Sequence, residues 1–237
     1  MIKAILFDLD GTLLPMSDQD VFIKRYFGLM AQKLAPYGYE PRSLIGAIWQ
    51  GTAAMTANDG KCTNGEAFWK AFCGILGEKA RETETLLEEF YSTDFNLAFD
   101  VCGQSTESKR TVDILKEKGF RLALATNPVF PAVATKARMS WVGLSPSDFE
   151  LYTTYENSRY CKPSGEYYLA IAEQMGVSPE ECLMVGNDVS DDLPAEDVGM
   201  KVFILTDNLI NKEGKDISSY PQGSFAELLE FVENERF

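Results

Sequence analysis

The sequence predicts an α/β protein in which an all-helical segment is inserted into a doubly wound parallel sheet. Short apolar runs of the kind that form buried strands recur along the chain. From residue 111 onward these runs alternate with helical patterns through short connections, which favours a parallel sheet with helices on both faces. Residues 17–98 show helical periodicity and no strand pattern. The predicted strands are Lys3–Phe7, Arg121–Ala125, Phe149–Thr153, Cys182–Val185 and Lys201–Leu205.

The helical segment divides the chain into two predicted domains. Its aromatic residues recur at helical spacing, as expected for the core of a small bundle. We expect residues 15–98 to form an all-helical cap domain, and residues 1–14 together with 99–237 to form the core domain. The helices of the cap have start signals at Ser17 (as N-cap), Pro41, Thr63–Glu66 and Glu82.

The composition excludes several classes of function. The 237 residues carry a net charge of −14, from 22 Lys and Arg against 36 Asp and Glu. So acidic a chain disfavours nucleic acids and anionic membrane surfaces as partners. Histidine is absent, which excludes histidine-based triads, histidine-ligated zinc and histidine general bases. Acid–base chemistry must therefore come from carboxylates, Lys, Tyr or Cys.

The cysteines and the hydropathy pattern predict a cytoplasmic protein. The five cysteines are scattered and form no Cys-x-x-Cys pair, which is typical of free thiols in a reducing compartment. The apolar run at the N-terminus is interrupted by Asp8 and is too short for a signal peptide. No stretch approaches the length of a transmembrane helix, so we expect no membrane association.

A pair of acidic residues marks the end of the first strand. Asp8 and Asp10 lie one residue apart in Asp8-Leu9-Asp10-Gly11-Thr12, and side chains with that spacing project to the same side of an extended chain. Two carboxylates at the end of a buried strand repel each other and lose solvation. A bound cation would offset that cost, and Gly11 allows the backbone to turn sharply.

Two later strand ends carry groups that suit phosphate binding. Thr126 and Asn127 follow the second strand, where a hydroxyl and backbone N–H groups can hold phosphate oxygens. Ordinary turn chemistry also explains this dipeptide. Lys162 precedes Pro163, which opens a predicted helix; an ammonium is unfavourable at a helix N-terminus unless it faces an anion.

A third strand end carries a cluster of acids. Asp188, Asp191 and Asp192 follow the apolar strand that ends near Val185. Acids are also favoured at the start of a helix, which is the simpler interpretation. The carboxyl ends of parallel strands meet at one edge of a sheet, however, so these acids should lie near Asp8 and Asp10. Oxygen ligands without histidine favour Mg²⁺.

These motifs resemble the signature of the haloacid dehalogenase superfamily of hydrolases. Phe7–Leu13 is similar to its first motif residue for residue, and the three later groups follow the order and spacing of its other motifs. The helical insertion after the first strand resembles the C1-type cap of one subgroup, which includes phosphoglycolate phosphatases and β-phosphoglucomutases. The resemblance implies a Rossmann-like core with the cap placed over the site.

The resemblance also implies roles for individual residues. Asp8 would be the nucleophile that becomes an aspartyl-phosphate, and Asp10 the general acid and base. Thr126 and Asn127 would bind the phosphoryl oxygens. Lys162 would neutralise Asp8 and the phosphate. Phosphoryl transfer depends mainly on positioning and charge neutralisation, which agrees with these assignments.

The implied cofactor is Mg²⁺. Its predicted ligands are Asp8, the backbone carbonyl of Asp10 and Asp188, with Asp192 supporting Lys162 or a metal-bound water. The chain has Gly186-Asn187-Asp188 where many members of the superfamily have Gly-Asp-Ser. Asp191 therefore competes with Asp192 for the role of the second acid of the fourth motif.

The predicted function is Mg²⁺-dependent hydrolysis of a small phosphorylated metabolite, such as a sugar phosphate, by a monomer or homodimer. A phosphomutase or phosphotransferase would use the same core motifs and stays an alternative, as does a non-catalytic phosphate-binding module. A dehalogenase is disfavoured because that branch generally lacks the second acid, here Asp10.

Overall fold

The computed structural model describes residues 1–234 and contains a six-stranded parallel sheet in the order β3-β2-β1-β4-β5-β6. This confirms the predicted α/β class with a doubly wound parallel sheet. The strands are β1 (Ala4–Phe7), β2 (Arg121–Leu124), β3 (Leu151–Tyr152), β4 (Cys182–Gly186), β5 (Lys201–Leu205) and β6 (Gln222–Gly223).

Helices lie between the strands and in one long insertion. Those of the insertion are α1 (Gln19–Leu34), α2 (Pro41–Thr56), α3 (Asn64–Leu76) and α4 (Glu84–Ser92). Those that accompany the sheet are α5 (Glu107–Glu117), α6 (Ala132–Trp141), α7 (Gly165–Met175), α8 (Val189–Asp192) and α9 (Phe225–Asn234). Within residues 1–234, no helix is long and apolar enough to cross a membrane.

Side chains alternate across β1 and fill a separate hydrophobic core on each face of the sheet. Ile5 and Phe7 join the core that contains residues of α5, α6 and α9. Ala4 and Leu6 join the core on the opposite face, which contains residues of α7. All four side chains are fully buried, as the central strand of a sheet covered on both faces requires. The carboxyl end of β1 is thereby fixed from both sides.

We call α1–α4 the helical insertion. Its interior contains an aromatic cluster of Tyr26, Phe90 and Tyr91, which Phe95 of the following segment joins. The rings of Tyr26 and Tyr91 are stacked, with their hydroxyls 2.7 Å apart, and the other pairs pack edge to face or tilted. This cluster is continuous with the core that contains Phe7. The boundaries of a separate cap domain at residues 15–98 stay a prediction.

The turn between α2 and α3 joins the insertion to the carboxyl edge of the sheet. Asn64 is fully buried, and its amide nitrogen donates to the carbonyls of Pro128 and Tyr160, each at 3.3 Å. These acceptors lie in the loops that follow β2 and β3. The insertion is therefore hydrogen-bonded to the loops that carry Asn127 and Lys162.

The start of α1 and the presence of α6 differ from the sequence predictions. The N-cap of α1 is Asp18 and not Ser17, because the Asp18 carboxylate accepts from the N–H groups of Asp20 and Val21. Helix α6 was not predicted. Its N-cap is Pro131, which offers no side-chain acceptor, and the Glu156 carboxylate, from the loop after β3, accepts from the N–H of Ala132 instead.

Candidate active site

The turn after β1 places Asp8 and Asp10 at the carboxyl edge of the sheet. Two backbone hydrogen bonds close it: the N–H of Gly11 donates to the carbonyl of Leu14 and the N–H of Leu14 donates to the carbonyl of Leu9, both at 2.8 Å. Gly11 has φ +87°, and a Cβ there would lie 2.2 Å from the side-chain nitrogen of Asn187. Both the backbone conformation and the close approach therefore require glycine.

Lys162 forms ion pairs with two of the predicted site carboxylates. Its ammonium lies 2.8 Å from Oδ1 of Asp8 and 2.7 Å from Oδ1 of Asp192, and the residue is 3% exposed. Burial lowers the pKa of Lys162, but the charges of Asp192 and Asp8 outweigh it and hold the pKa well above the ordinary value. Lys162 is thus a permanent cation beside Asp8.

Asp192 holds Lys162 from the opposite side. Its second oxygen accepts from the N–H of Asp188 at 2.9 Å, so both carboxylate oxygens are engaged. Burial raises the pKa of Asp192 above its usual range, although Lys162 acts in the other direction. A Cβ at position 186 would lie 2.0 Å from the Asp192 carboxylate, so Gly186 is required for the approach.

Asp10 is paired with an arginine that the sequence analysis did not identify. Arg138 of α6 is fully buried, and its Nη1 donates to Oδ2 of Asp10. Burial raises the pKa of Asp10 above its ordinary value, Arg138 lowers it, and Asp8 adds to the rise. Within residues 1–234, Oδ1 of Asp10 is buried and has no hydrogen-bond partner. Arg138 lies within an unpredicted helix and belongs to no motif, so no sequence signal pointed to it.

Thr126 and Asn127 lie where β2 ends. The carbonyl of Thr126 accepts from the hydroxyls of Thr153 and Tyr167, at 2.6 and 2.8 Å, which fixes the turn. The amide nitrogen of Asn127 donates to Asp191 at 3.3 Å. In the described part of the chain, the side-chain oxygen of Asn127 is buried without a partner. Asp191 therefore contacts Asn127, whereas Asp192 contacts Lys162.

Asn187 and Asp188, which follow β4, differ in burial and in their hydrogen bonds. Asn187 is fully buried; its oxygen accepts from the Thr12 hydroxyl at 2.9 Å and its nitrogen donates to the carbonyl of Asn208 at 2.7 Å. Its polar atoms are thus committed to the fold. Asp188 is half-buried and caps α8, with Oδ1 accepting from the N–H groups of Ser190 and Asp191. Asp188 is accordingly the better candidate for an ion ligand at this position.

Comparison with protein families identifies the chain. A family model described as haloacid dehalogenase-like hydrolase matches residues 2–199. The chain belongs to this family. The predicted resemblance and the prediction of a hydrolase are thereby confirmed.

Several relatives of this hydrolase are similar to it over most of both chains. A protein named putative pyrophosphatase PpaX from Clostridium perfringens is 26% identical over 85% of this chain and 82% of its own. The glyceraldehyde 3-phosphate phosphatase of Methanocaldococcus jannaschii is 27% identical over 99% and 98%. The putative phosphatase YhcW of Bacillus subtilis is 26% identical over 86% and 84%.

Solved structures support the same fold. A 2-haloacid dehalogenase from Pseudomonas syringae pv. tomato aligns with a TM-score of 0.63 and 21% identity over 99% of both chains. An enzyme of the family from Bacteroides thetaiotaomicron, in complex with magnesium and inorganic phosphate, aligns with a TM-score of 0.52 and 18% identity over 92% of this chain and 98% of its own. At these identities the likeness concerns the fold alone.

The residues of this hydrolase fit a magnesium ion. Among the described residues there is no group of three or more His, Cys, Asp or Glu side chains arranged to hold a metal. Mg²⁺ usually keeps several waters and takes only one or two protein carboxylates, so such a group is not required. The available donors are oxygens only, and the buried Oδ1 atoms of Asp10 and Asn127 have no partner among the described residues. The predicted ligands, Asp8, the backbone carbonyl of Asp10 and Asp188, supply oxygens of this kind, and their role stays a prediction.

A cavity of about 630 Å³ lies between the helical insertion and the loop that follows β2. One wall is formed by Val129–Val133, which begins two residues after Asn127. The ring of Phe130 in this wall lies 4.4 Å from the guanidinium of Arg138. The other walls are rich in aromatic side chains, including Tyr26, Trp49, Phe68, Trp69 and Tyr155. The volume is typical of a site for a small molecule.

Proposed function

We propose that this hydrolase is an Mg²⁺-dependent phosphatase that transfers the phosphoryl group of a small phosphomonoester to Asp8 and then to water. One observation carries the proposal: the ammonium of Lys162 lies 2.8 Å from Oδ1 of Asp8 at the carboxyl end of β1. A fixed cation at this distance can offset the negative charge that gathers where the Asp8 oxygen meets phosphorus, and it also attracts a phosphate dianion. Pairing with Lys162 thus supports a nucleophilic role for Asp8.

In the first half-reaction, an oxygen of Asp8 attacks phosphorus while the bond to the ester oxygen breaks. Asp10, in its protonated form, donates its proton to the departing oxygen, and the product alcohol leaves. Burial favours that protonated form, because it raises the pKa of Asp10 despite Arg138. Lys162, Thr126 and Asn127 bind the phosphoryl oxygens. Bound Mg²⁺ would neutralise part of the negative charge on the phosphoryl group.

In the second half-reaction, Asp10 is a carboxylate and acts as the base. It takes a proton from the attacking water, whose oxygen bonds to phosphorus as the bond between phosphorus and Asp8 breaks. Inorganic phosphate leaves, Asp8 is a carboxylate again and Asp10 is protonated. One group thus serves both half-reactions, which agrees with its location two residues from Asp8.

The aromatic cavity bears on the choice of substrate. Sugar phosphates carry many hydroxyls and are normally bound by polar side chains, whereas this cavity is walled mainly by aromatic and aliphatic residues. We therefore propose that the part of the substrate beyond the phosphate has apolar surface and enters the cavity past Val129. This narrows the sequence-based prediction, which named a sugar phosphate as an example.

Inorganic pyrophosphate is a second candidate substrate. The observation that favours it is the similarity to proteins named pyrophosphatase PpaX. Pyrophosphate has no apolar part and would leave the aromatic cavity empty. The first candidate substrate would contact the aromatic side chains of the cavity, whereas pyrophosphate would not.

The test is a panel of phosphorylated compounds assayed for release of inorganic phosphate with Mg²⁺. The panel should include aryl and alkyl phosphates, sugar phosphates, inorganic pyrophosphate and a phosphoprotein. We expect the highest kcat/KM for a small ester with an apolar part and little action on the phosphoprotein. Highest kcat/KM for pyrophosphate would select the second candidate, and no turnover of any compound would contradict phosphatase function.

The covalent step has its own test. Borohydride reduces an aspartyl-phosphate to homoserine, so protein quenched during turnover should contain homoserine at position 8 when its peptides are weighed. The Asp8→Asn variant should show neither homoserine at position 8 nor turnover. The matched control is Asp216→Asn, because Asp216 is exposed and lies outside the site. Labelling of any residue other than Asp8 would contradict the proposed nucleophile.

A further inference from the structure

Arg138 is the most buried charged group of the site, and its surroundings fix it in one place. Its exposure is 0%, its Nε donates to the carbonyl of Ala134 and its Nη2 donates to the hydroxyl of Thr135, both at 3.4 Å. The ring of Phe130 covers its guanidinium at 4.4 Å. A long side chain with several rotatable bonds is thus held by its own helix and by one aromatic face.

The guanidinium directs one N–H to Oδ2 of Asp10. Taking an ion pair out of water is costly, and apolar residues of similar size often fill such a position with equal or greater stability. Stability alone is therefore a weak reason for a buried arginine here. The two residues are 128 positions apart in the chain, so only the folded structure brings them together.

The contact leaves the two oxygens of Asp10 in different states. Oδ2 is bound to Arg138, while Oδ1 is buried and, within residues 1–234, has no hydrogen-bond partner. A carboxylate held by one oxygen cannot rotate freely about its last bond. The unbound oxygen is then presented in a constant direction beside Asp8.

We propose that Arg138 is a positioning residue, which holds Asp10 through Oδ2 so that Oδ1 remains free to transfer the proton in both half-reactions. This role rests on the proposed phosphatase function. Arg138 touches neither the phosphate nor the leaving group; it acts through Asp10. Phe130 and Thr135 keep the guanidinium in register with the carboxylate.

The role predicts a dependence on the leaving group. Protonation by Asp10 matters most for an alkyl phosphate, whose alkoxide is a poor leaving group, and least for p-nitrophenyl phosphate. Arg138→Ala should therefore lower kcat/KM, which reports the steps up to departure of the alcohol, about 10²–10³-fold for an alkyl phosphate, within the range of general acid–base catalysis. The loss of kcat/KM for p-nitrophenyl phosphate should be clearly smaller.

Chemical rescue separates positioning from a structural role. Added guanidinium ion can fill the space left in Arg138→Ala and should restore part of kcat for the alkyl phosphate. The matched control is Arg121→Ala, which removes a half-exposed arginine that is paired with Glu150 at the amino end of β2, opposite the carboxyl edge. We expect this control to have wild-type kcat and no response to guanidinium.

If Arg138→Ala does not fold, a second variant tests the same role. Arg138→Lys keeps the buried positive charge, so it should fold, but an ammonium cannot bind Thr135, Phe130 and Asp10 in the same geometry. We expect a loss of kcat/KM for the alkyl phosphate of at least about 10-fold and a smaller loss for p-nitrophenyl phosphate.

The outcomes are distinguishable. Folded variants that keep wild-type kcat/KM for both esters, or lose it equally for both leaving groups without rescue, would overturn the role of Arg138 and leave the phosphatase function intact. A wild-type protein that hydrolyses neither ester would overturn the proposed function, and the role with it.

Discussion

The carboxyl edge of the sheet and the cavity under the helical insertion are adjacent but differ in chemistry. At the edge, Asp8, Lys162 and Asp192 form a chain of buried charges with contacts of 2.7–2.8 Å. The cavity is walled largely by rings such as Trp49, Phe68 and Trp69. Charges removed from water can stabilise a transition state, whereas rings select a molecule by its shape and apolar area. Under the proposed function, the chemistry belongs to the edge and the choice of substrate to the cavity.

The two regions also differ in what holds them together. Buried ion pairs depend on every partner being present, since loss of one leaves an uncompensated charge. Aromatic packing is tolerant, because removal of one half-exposed ring loses only that ring's contacts. Substitutions at the edge should therefore change the rate strongly, and substitutions in the cavity should change KM moderately.

The largest effect is expected from Lys162→Met. This change leaves Asp8 and Asp192 facing each other without the cation between them. We expect kcat to fall by at least about 10³-fold, the scale of losing one member of a concerted group. The free energy of unfolding should fall by about 3–5 kcal/mol, as for a broken buried ion pair. Steady-state kinetics and urea titration measure the two quantities.

Lys61→Met is the control, because that lysine is 85% exposed. Wild-type kcat in Lys162→Met would contradict the proposal that the reaction takes place at this edge.

A smaller effect at the same edge is expected from Asp188→Asn. Asp188 is a proposed Mg²⁺ ligand, so the Mg²⁺ concentration for half-maximal activity should rise at least about 10-fold, because even loss of a residue that only supports a metal ligand costs about 10–100-fold in metal affinity. Activity at saturating Mg²⁺ should partly recover. Asp191→Asn is the matched comparison, since Asp191 contacts Asn127, and it should change the metal requirement less. The reverse order of the two variants would exchange their roles.

In the cavity, Trp49→Ala should have a moderate effect on binding. Trp49 is 50% exposed, so truncation should cost little stability. We expect KM for an ester with an apolar part to rise about 3–10-fold with kcat unchanged, which corresponds to about 0.7–1.4 kcal/mol. KM for inorganic pyrophosphate, measured in the same preparation, should be unaffected. Equal changes for both substrates would remove the proposed link between the cavity and substrate choice.

The smallest effect is expected outside both regions, at Asp148. Burial raises the pKa of this carboxyl, but the N–H of Ser145 and the ammonium groups of Lys116 and Lys109 outweigh burial, so that the net pKa lies below its ordinary value of 3.8. A lowered native pKa stabilises the fold above the ordinary pKa, and this contribution is lost as the pH falls through the native pKa.

Asp148→Asn should therefore lower the free energy of unfolding by about 1 kcal/mol at pH 7, the usual scale for a partly buried charged hydrogen bond. The wild-type and variant stabilities should converge as the pH falls below 3.8. Urea titrations between pH 7 and pH 3 measure both curves. A difference that grows towards acid pH would contradict the sign of the pKa shift, and kcat should be the same in both proteins.

Local patterns in the sequence determined much of this protein. Apolar runs placed β1 to β5, the capping box at Thr63–Glu66 placed the start of α3, and the Asp8–Thr12 motif identified the family. These features depend on neighbours within a few residues, so they can be read from the chain directly. β6 was not predicted, because its two residues, Gln222 and Gly223, belong to no apolar run.

Only the tertiary structure decided the partners of the charged groups. Helix α6 depends on a carboxylate, Glu156, that lies 24 residues from Ala132, and Arg138 meets Asp10 across 128 residues. Asp191 and Asp192 likewise have different partners on other loops, Asn127 and Lys162 respectively. A titratable side chain has no periodicity that reveals its partner, because its energy depends on burial and on charges brought close by the fold. The sequence therefore predicted which residues would carry the chemistry, and the fold determined which groups hold them in place.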